Sequence, residues 1–300
     1  MKFNVAGHMF QIKGSQIYKS VADKIDVPYA PFAVSDSDDN DTAPLFVFEL
    51  QAEDVRWNCS SPVFTNEGNA EPGFIILSVY KDADGHHFEF TQSISSQING
   101  RLSISPDFKR ARMSLSGTDI EQWYTFTAGI NFCYMLATAT QQTVLTHSSC
   151  VKYKGKAYIF LGKSGTGKST HSRMWLKALD GVELMNDDHP VIRINDEGQA
   201  IVYGSPWSGK THCYKNIKAP LGGIVRISRA AYNKASRLMP IQAYGSLLTS
   251  CSGMSWEKML ADGRDTTIQG ILKSVPSWVM ECLPNEDAAL VCSKSVAEEV

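Results

Sequence analysis

Three hundred residues suit one large domain or two ordinary ones, and either size can bury a full core. The formal net charge of −2 and the lack of a basic run argue against a nucleic-acid surface. Seven cysteines, odd in number and with no C-x-x-C pair, suggest neither a disulfide framework nor a zinc site and fit reduced thiols in a cytoplasmic protein.

The opening MKFNVAGHMFQIKG lacks an apolar core of signal-peptide length. From there to about Gly117 the chain reads mostly as β-structure. The acidic stretch Ser35–Asp41 is expected to be a solvated loop: it starts like a calcium loop, but Asp41 and Val47 stand where the glycine and closing glutamate belong. Phe74–Tyr80 reads as a strand, Asp82–Gly85 as a turn and His87–Gln92 as the returning strand. Asn99-Gly100 predicts a hairpin turn, with Arg101–Ser105 as the strand after it and Arg110–Leu115 continuing the meander.

Thr118-x-x-Glu121 is a capping box that opens a long helix to about Gln142. Its apolar stretch from Phe126 is broken by Asn131 and several threonines, too short and too polar for a bilayer span. The helix closes an N-terminal β-rich region, 1–143, and a second domain of α/β (α+β) class is expected over 144–300.

That domain begins with HSSCVKYKGKAYIFLG, two short strands joined at Lys154-Gly155. The next residues, LGKSGTGKSTHSR, fit G-x-x-x-x-G-K-[ST] through Gly162, Gly167, Lys168 and Ser169. Ala157–Gly162 is an apolar run of strand length and Thr170–Leu179 an amphipathic helix, the context that this motif requires. Glycines at Gly162, Gly165 and Gly167 let successive N–H groups converge on one anion, and the helix dipole favours negative charge there. Ser164, Thr166 and Thr170 complete the expected cradle. Lys168 would reach the β- and γ-phosphates of ATP, with the Ser169 hydroxyl on Mg²⁺ (or Mn²⁺).

Asn186-Asp187-Asp188 ends a short strand, with Asp187 nineteen positions after Lys168. Val182–Ile194 reads as two short strands around this polar interruption. Paired aspartates beside a phosphate loop can hold the metal or take a proton from an attacking hydroxyl. Farther on, Ser205–Lys210 repeats S-G-K without the first glycine or a helix signal and is no second phosphate loop. Lys210 is either another cation for the transferred phosphate or an ordinary surface lysine. An apolar strand at Leu221–Ser228, a helical region and a last strand from Trp278 complete the chain. Arg226, Arg229 and Arg264 are further available cations.

The hairpin with His147 at its start, the loop G-x-S-G-x-G-K-S-T and the following D-D resemble HPr kinase/phosphorylase. They are also similar to the ATP-dependent phosphoenolpyruvate carboxykinases, which share that core, over roughly His147 to Asp188. The resemblance implies that Lys168 contacts phosphates, that His147 lies near them and that Ser169 and one of the two aspartates hold the metal; with Asp187 as the base, Asp188 is the metal contact. The HPr kinase signature of a glutamate followed by R-G-L-G is absent from this chain. The expected function is an ATP-dependent kinase acting on a hydroxyl of a protein or small molecule. A carboxykinase acting on oxaloacetate and a non-catalytic nucleotide sensor stay open as alternatives.

Overall fold

The computed structural model describes residues 1–35, 43–66, 75–92, 97–209 and 211–298. Contacts divide the chain into two compact units, Met1–Ala137 and Thr138–Val300. Both are mixed α/β. Among the described residues no helix is long and apolar enough to cross a membrane.

In the first unit, strands β1 (Lys2–Val5), β2 (His8–Lys13), β3 (Phe46–Leu50), β4 (Phe64–Thr65), β5 (Ile75–Asp82), β6 (Gly85–Gln92), β7 (Ile98–Ile104) and β8 (Arg110–Leu115) form one sheet. Its order is β1-β2-β3-β8-β7-β6-β5-β4. β2, β3 and β8 are parallel neighbours, and the remaining pairings are antiparallel. Two single-turn helices, α1 (Lys19–Ala22) and α2 (Asp26–Tyr29), follow β2. In β3, Phe46, Phe48 and Leu50 are buried while Glu49 between them is exposed, the alternation of a sheet with one covered face.

The cover is helix α3 (Asp119–Thr138). Phe126, Ile130 and Tyr134, four residues apart on one helical face, are each fully buried, and the Phe126 ring meets Phe48 edge-on at 5.9 Å. The expected capping box holds: the Thr118 N–H donates to Glu121 Oε2 at 2.7 Å. The helix stops four residues before the expected Gln142, which takes a left-handed turn (φ 51°) into the next strand.

The expected turn at Asn99-Gly100 is wrong. Both residues lie inside β7, Asn99 is buried, and the pairing with β6 shifts register beside them. The glycine serves close packing instead: a Cβ there would stand 2.6 Å from Thr125 Cγ2 on α3 and 3.1 Å from the Ser114 carbonyl oxygen. Most of the acidic segment Ser35–Asp41, residues 36–41, and the strand start at Phe74 lie outside the described residues.

The second unit contains β9 (Thr143–Leu145), β10 (Ser149–Tyr153), β11 (Lys156–Leu161), α4 (Lys168–Ala178), β12 (Glu183–Asn186), β13 (Val191–Ile194), β14 (Ala200–Tyr203) and β15 (Lys218–Arg229). Then follow β16 (Lys234–Arg237), α5 (Pro240–Leu248), α6 (Lys258–Ser274), β17 (Ser277–Cys282) and α7 (Glu286–Ser293). The main order is β12-β10-β11-β15-β14-β13-β9. Twelve-residue β15 pairs with β14 through its first residues and, in parallel, with β17 through Ile224–Arg229. Along its other edge runs β11, also parallel.

The sequence of β11 shows why this sheet is covered on both faces. Ala157, Ile159 and Leu161 join one core cluster with Leu247 of α5 and with Ile268 and Ile271 of α6. Tyr158 and Phe160 join another with Trp175 of α4 and with Ala288, Ala289 and Cys292 of α7. A continuous apolar run is what a strand buried on both faces requires. Burying each large side chain of this kind contributes about 1.5–3 kcal/mol.

Gly100→Ala should overpack the β7–α3 contact and destabilise the first unit by about 1–3 kcal/mol. Urea unfolding should show a lower midpoint at unchanged slope. A midpoint equal to the parent's would show that the helix tolerates the extra methyl.

Candidate phosphate-binding site

The chain leaves β11 at Leu161 and enters the glycine loop. Gly165 (φ 72°) and Gly167 (φ 119°) are left-handed, a conformation that side-chain-bearing residues resist. A Cβ built at either meets nothing within 4 Å, so the backbone there borders open space. Gly167 is the N-cap of α4 and offers no side chain to its N–H groups, and the first turn of the helix has no acidic residue. The positive end of an eleven-residue helix is therefore left without a side-chain partner.

Lys168 is the first residue of that helix and only 9% exposed. Its Nζ donates to the Gly162 carbonyl oxygen at 3.0 Å and lies 3.3 Å from His147 Nε2. Among the described residues no carboxylate forms an ion pair with it. Burial lowers its pKa, and the charges of Asp188 and Asp187 work the other way. Ser169 and Thr170 follow in the half-buried first turn, while Ser164 is exposed on the loop.

Asn186, at the end of β12, builds the turn that carries both aspartates. Its Oδ1 accepts the N–H groups of Asp188 and His189 at 2.9 Å each, and its Nδ2 donates to the Trp207 carbonyl oxygen at 3.2 Å. This buried amide thereby ties the turn to the 204–213 loop. The two carboxylates then meet different partners. Asp187 Oδ1 accepts from Ser149 Oγ at 2.6 Å and Oδ2 from Thr211 Oγ1 at 2.5 Å. Ser149 in turn contacts Ser172 Oγ on α4 at 2.5 Å.

Asp188 stands between two imidazoles: Oδ1 is 3.4 Å from His147 Nε2, and Oδ2 is 3.1 Å from His189 Nδ1. Burial opposes its charge. The hydrogen bond from His189 and the charges of His189, His147 and Lys168 outweigh that and hold the carboxyl below its ordinary range. The His147 pKa is lowered by burial and by Lys168, against the pull of Asp188. Its ring lies nearly parallel to that of His189, centroids 5.7 Å apart.

Two clefts flank the loop. One, of about 640 Å³, is lined by His147, Gly162, Lys163, Thr166, Arg226 and Arg229 together with residues of α5. The other, of about 380 Å³, runs from Gly165 and Gly167 past Met174 to Cys282 and Pro284. The Arg229 guanidinium also donates to the Gly165 and Thr166 carbonyl oxygens. Arg264 sits on α6 and is not among the residues lining either cleft.

The residues expected from sequence thus converge, with Lys168, His147, Asp187 and Asp188 in one electrostatic group and Arg226 beside the loop. Lys210 lies outside the described residues, although its neighbours reach the site. Thr211 bonds Asp187, and a Cβ at Gly209 would be 3.4 Å from Asp188. Sequence reasoning missed His189, Ser149 and Thr211. Of these only His189 carried a signal, as the residue that follows the two aspartates.

No family model and no curated protein sequence matches this chain. Among solved structures, the Hpr(Ser) kinase/phosphatase from Coxiella burnetii is similar at a TM-score of 0.32 and 10% identity, over 52% of this chain and 89% of that one. At that level the likeness is too slight to argue from.

Behind the loop, His171 packs edge-on against Phe160 and its Nε2 accepts from Trp175 Nε1 at 3.1 Å. Burial pushes its pKa from the ordinary 6.5 to about 4, so the ring stays neutral. Unfolding restores the ordinary value, and the unfolded chain then takes up a proton that the folded one refuses. His171 contributes fully above pH 6.5, and about 3 kcal/mol of stability is lost as pH falls toward 4. Its imidazole resonances should titrate near pH 4, with denaturation midpoints falling over the same window. A midpoint near 6.5 for that ring would overturn this.

Proposed function

We propose that the second unit is an ATP-dependent phosphotransferase built on a P-loop core of the kind shared by HPr kinases and ATP-dependent phosphoenolpyruvate carboxykinases. One observation carries this reading. A buried Lys168 ammonium that forms no ion pair with a carboxylate among the described residues adjoins a helix N-terminus with no side-chain cap and open space before it. Cationic donors arranged around a void suit a polyphosphate better than any neutral ligand.

The residues also fit a divalent cation. Ser169 and Asp188 would hold Mg²⁺ (or Mn²⁺), and Asp188, kept ionised by its neighbours, suits that part. The metal would supply charge neutralisation on the phosphates. Lys168 holds the β- and γ-phosphates, and His147 and Arg226 line the cleft where an acceptor approaches. The acceptor hydroxyl, on a protein or small molecule, gives its proton to Asp187 as its oxygen bonds phosphorus, and ADP leaves. Thr211 already donates to Asp187 as such a hydroxyl would. Lys210, between Gly209 and Thr211, is a further cation for the transferring group.

Lys168→Ala should weaken ATP binding roughly 10- to 100-fold in calorimetry while the fold persists. Asp187→Asn should cut phosphoryl transfer by about 10²–10⁴-fold at saturating Mg-ATP. With γ-labelled ATP and fractionated lysate, a labelled acceptor seen with the parent and lost in Asp187→Asn supports a kinase. Label recovered as phosphoenolpyruvate only when oxaloacetate is supplied identifies the carboxykinase instead. Tight ATP binding with no transfer in any fraction defeats the enzyme reading and leaves a nucleotide sensor.

A further inference from the structure

The first unit carries a group of donor atoms that phosphoryl transfer does not use. Cys59, Asp82 and His87 each offer one ligand atom, and these three atoms lie within 4.8 Å of one another. Asp82 ends β5 and His87 lies five residues on in β6, so the hairpin turn brings them together, with His87 Nε2 and Asp82 Oδ1 at 2.9 Å. Cys59 arrives from the segment after β3 and is the one cysteine of the seven that is not buried.

We infer that Cys59 Sγ, an Asp82 carboxylate oxygen and His87 Nε2 supply three ligands of a zinc site. Thiolate, imidazole and carboxylate are the donor types zinc takes. Tetrahedral bonds of about 2.0–2.3 Å set ligand atoms about 3.5 Å apart, within the span found here.

The surroundings are those of a supported ligand set. His87 is buried, and its other ring nitrogen, Nδ1, is 3.0 Å from Ser103 Oγ, directly across the β6–β7 pairing. That contact fixes the ring and is the support a zinc-bound imidazole uses. Trp57 stacks on the imidazole at 5.0 Å with an 8° interplanar angle and limits its movement further. Asp82 Oδ1 is oriented by the Asp84 N–H at 2.8 Å. The cleft beside them, about 720 Å³, is lined by Trp57, Asp84, His87 and Ser103, with Arg56 and Arg112 among its cationic residues.

Binding balances as a proton exchange. The Cys59 thiol releases its proton to water as sulfur bonds the metal. Nε2 binds the metal through its lone pair when the ring proton is on Nδ1, where the Ser103 hydroxyl accepts it.

The reduced, metal-stripped full chain titrated with Co²⁺ tests this. One equivalent should produce a near-ultraviolet thiolate-to-cobalt charge-transfer band with the strong visible absorption of a tetrahedral ion, and Zn²⁺ should bleach both. Cys59→Ser should abolish the charge-transfer band with an unchanged circular dichroism spectrum, and Cys59→Ala repeats the test should serine perturb the fold. Ser103→Ala should weaken Co²⁺ binding about tenfold. Cobalt held by the aspartates of the second unit has no sulfur ligand and gives no such band. Absence of the band in the parent, or its survival without Cys59, overturns the site.

Discussion

Holding the ammonium of a lysine only 9% exposed, with a carbonyl oxygen and an imidazole as its neighbours, is the constraint around which the second unit is arranged. A buried charge without a counter-charge costs several kcal/mol, so the fold must set fixed dipoles and nearby carboxylates around it. The sheet does so by aligning three strand ends. β12 and β11 both lie against β10, antiparallel to it, so the end of β12, the start of β10 and the end of β11 meet. From those ends come the aspartates, His147 and the glycine loop.

The two aspartates show how neighbours one residue apart are given different characters. Asp187 faces hydroxyl groups, which orient a carboxylate without neutralising it. Asp188 faces imidazoles and the Lys168 ammonium, which stabilise its charge directly. Asn186 makes this division possible: a single buried amide shapes the turn through Oδ1 and anchors the 204–213 loop through Nδ2. The difference between the carboxylates follows from backbone geometry that places them against different elements.

The elements legible in sequence were those whose signal is local. The Lys154-Gly155 hairpin, the Thr118–Glu121 capping box and the strand–loop–helix unit around Lys168 each follow from residues within a few positions of one another. Asn99-Gly100 misled for a physical reason: a turn dipeptide and a glycine needed for close helix–sheet approach look alike, and only Thr125, twenty-five residues away, distinguishes them. Ser149 and Thr211 were illegible because serine and threonine are common, and only β12 lying against β10 brings the first to Asp187. Cys59, Asp82 and His87 likewise lack any motif spacing; the β5–β6 hairpin and the segment before it create their proximity.

The position of β15 has a consequence for the order in which the second unit assembles. The β10–β11 hairpin closes across two residues and can form early. The parallel partner that flanks β11 begins more than fifty residues downstream, and β15 in turn waits for β17 nearly as far along the chain. Contacts of such sequence separation demand that a long loop be closed before any pairing repays it, which delays them relative to local structure. The glycine loop, whose cleft is walled by the far end of β15, therefore reaches its final geometry only once that strand has joined the sheet.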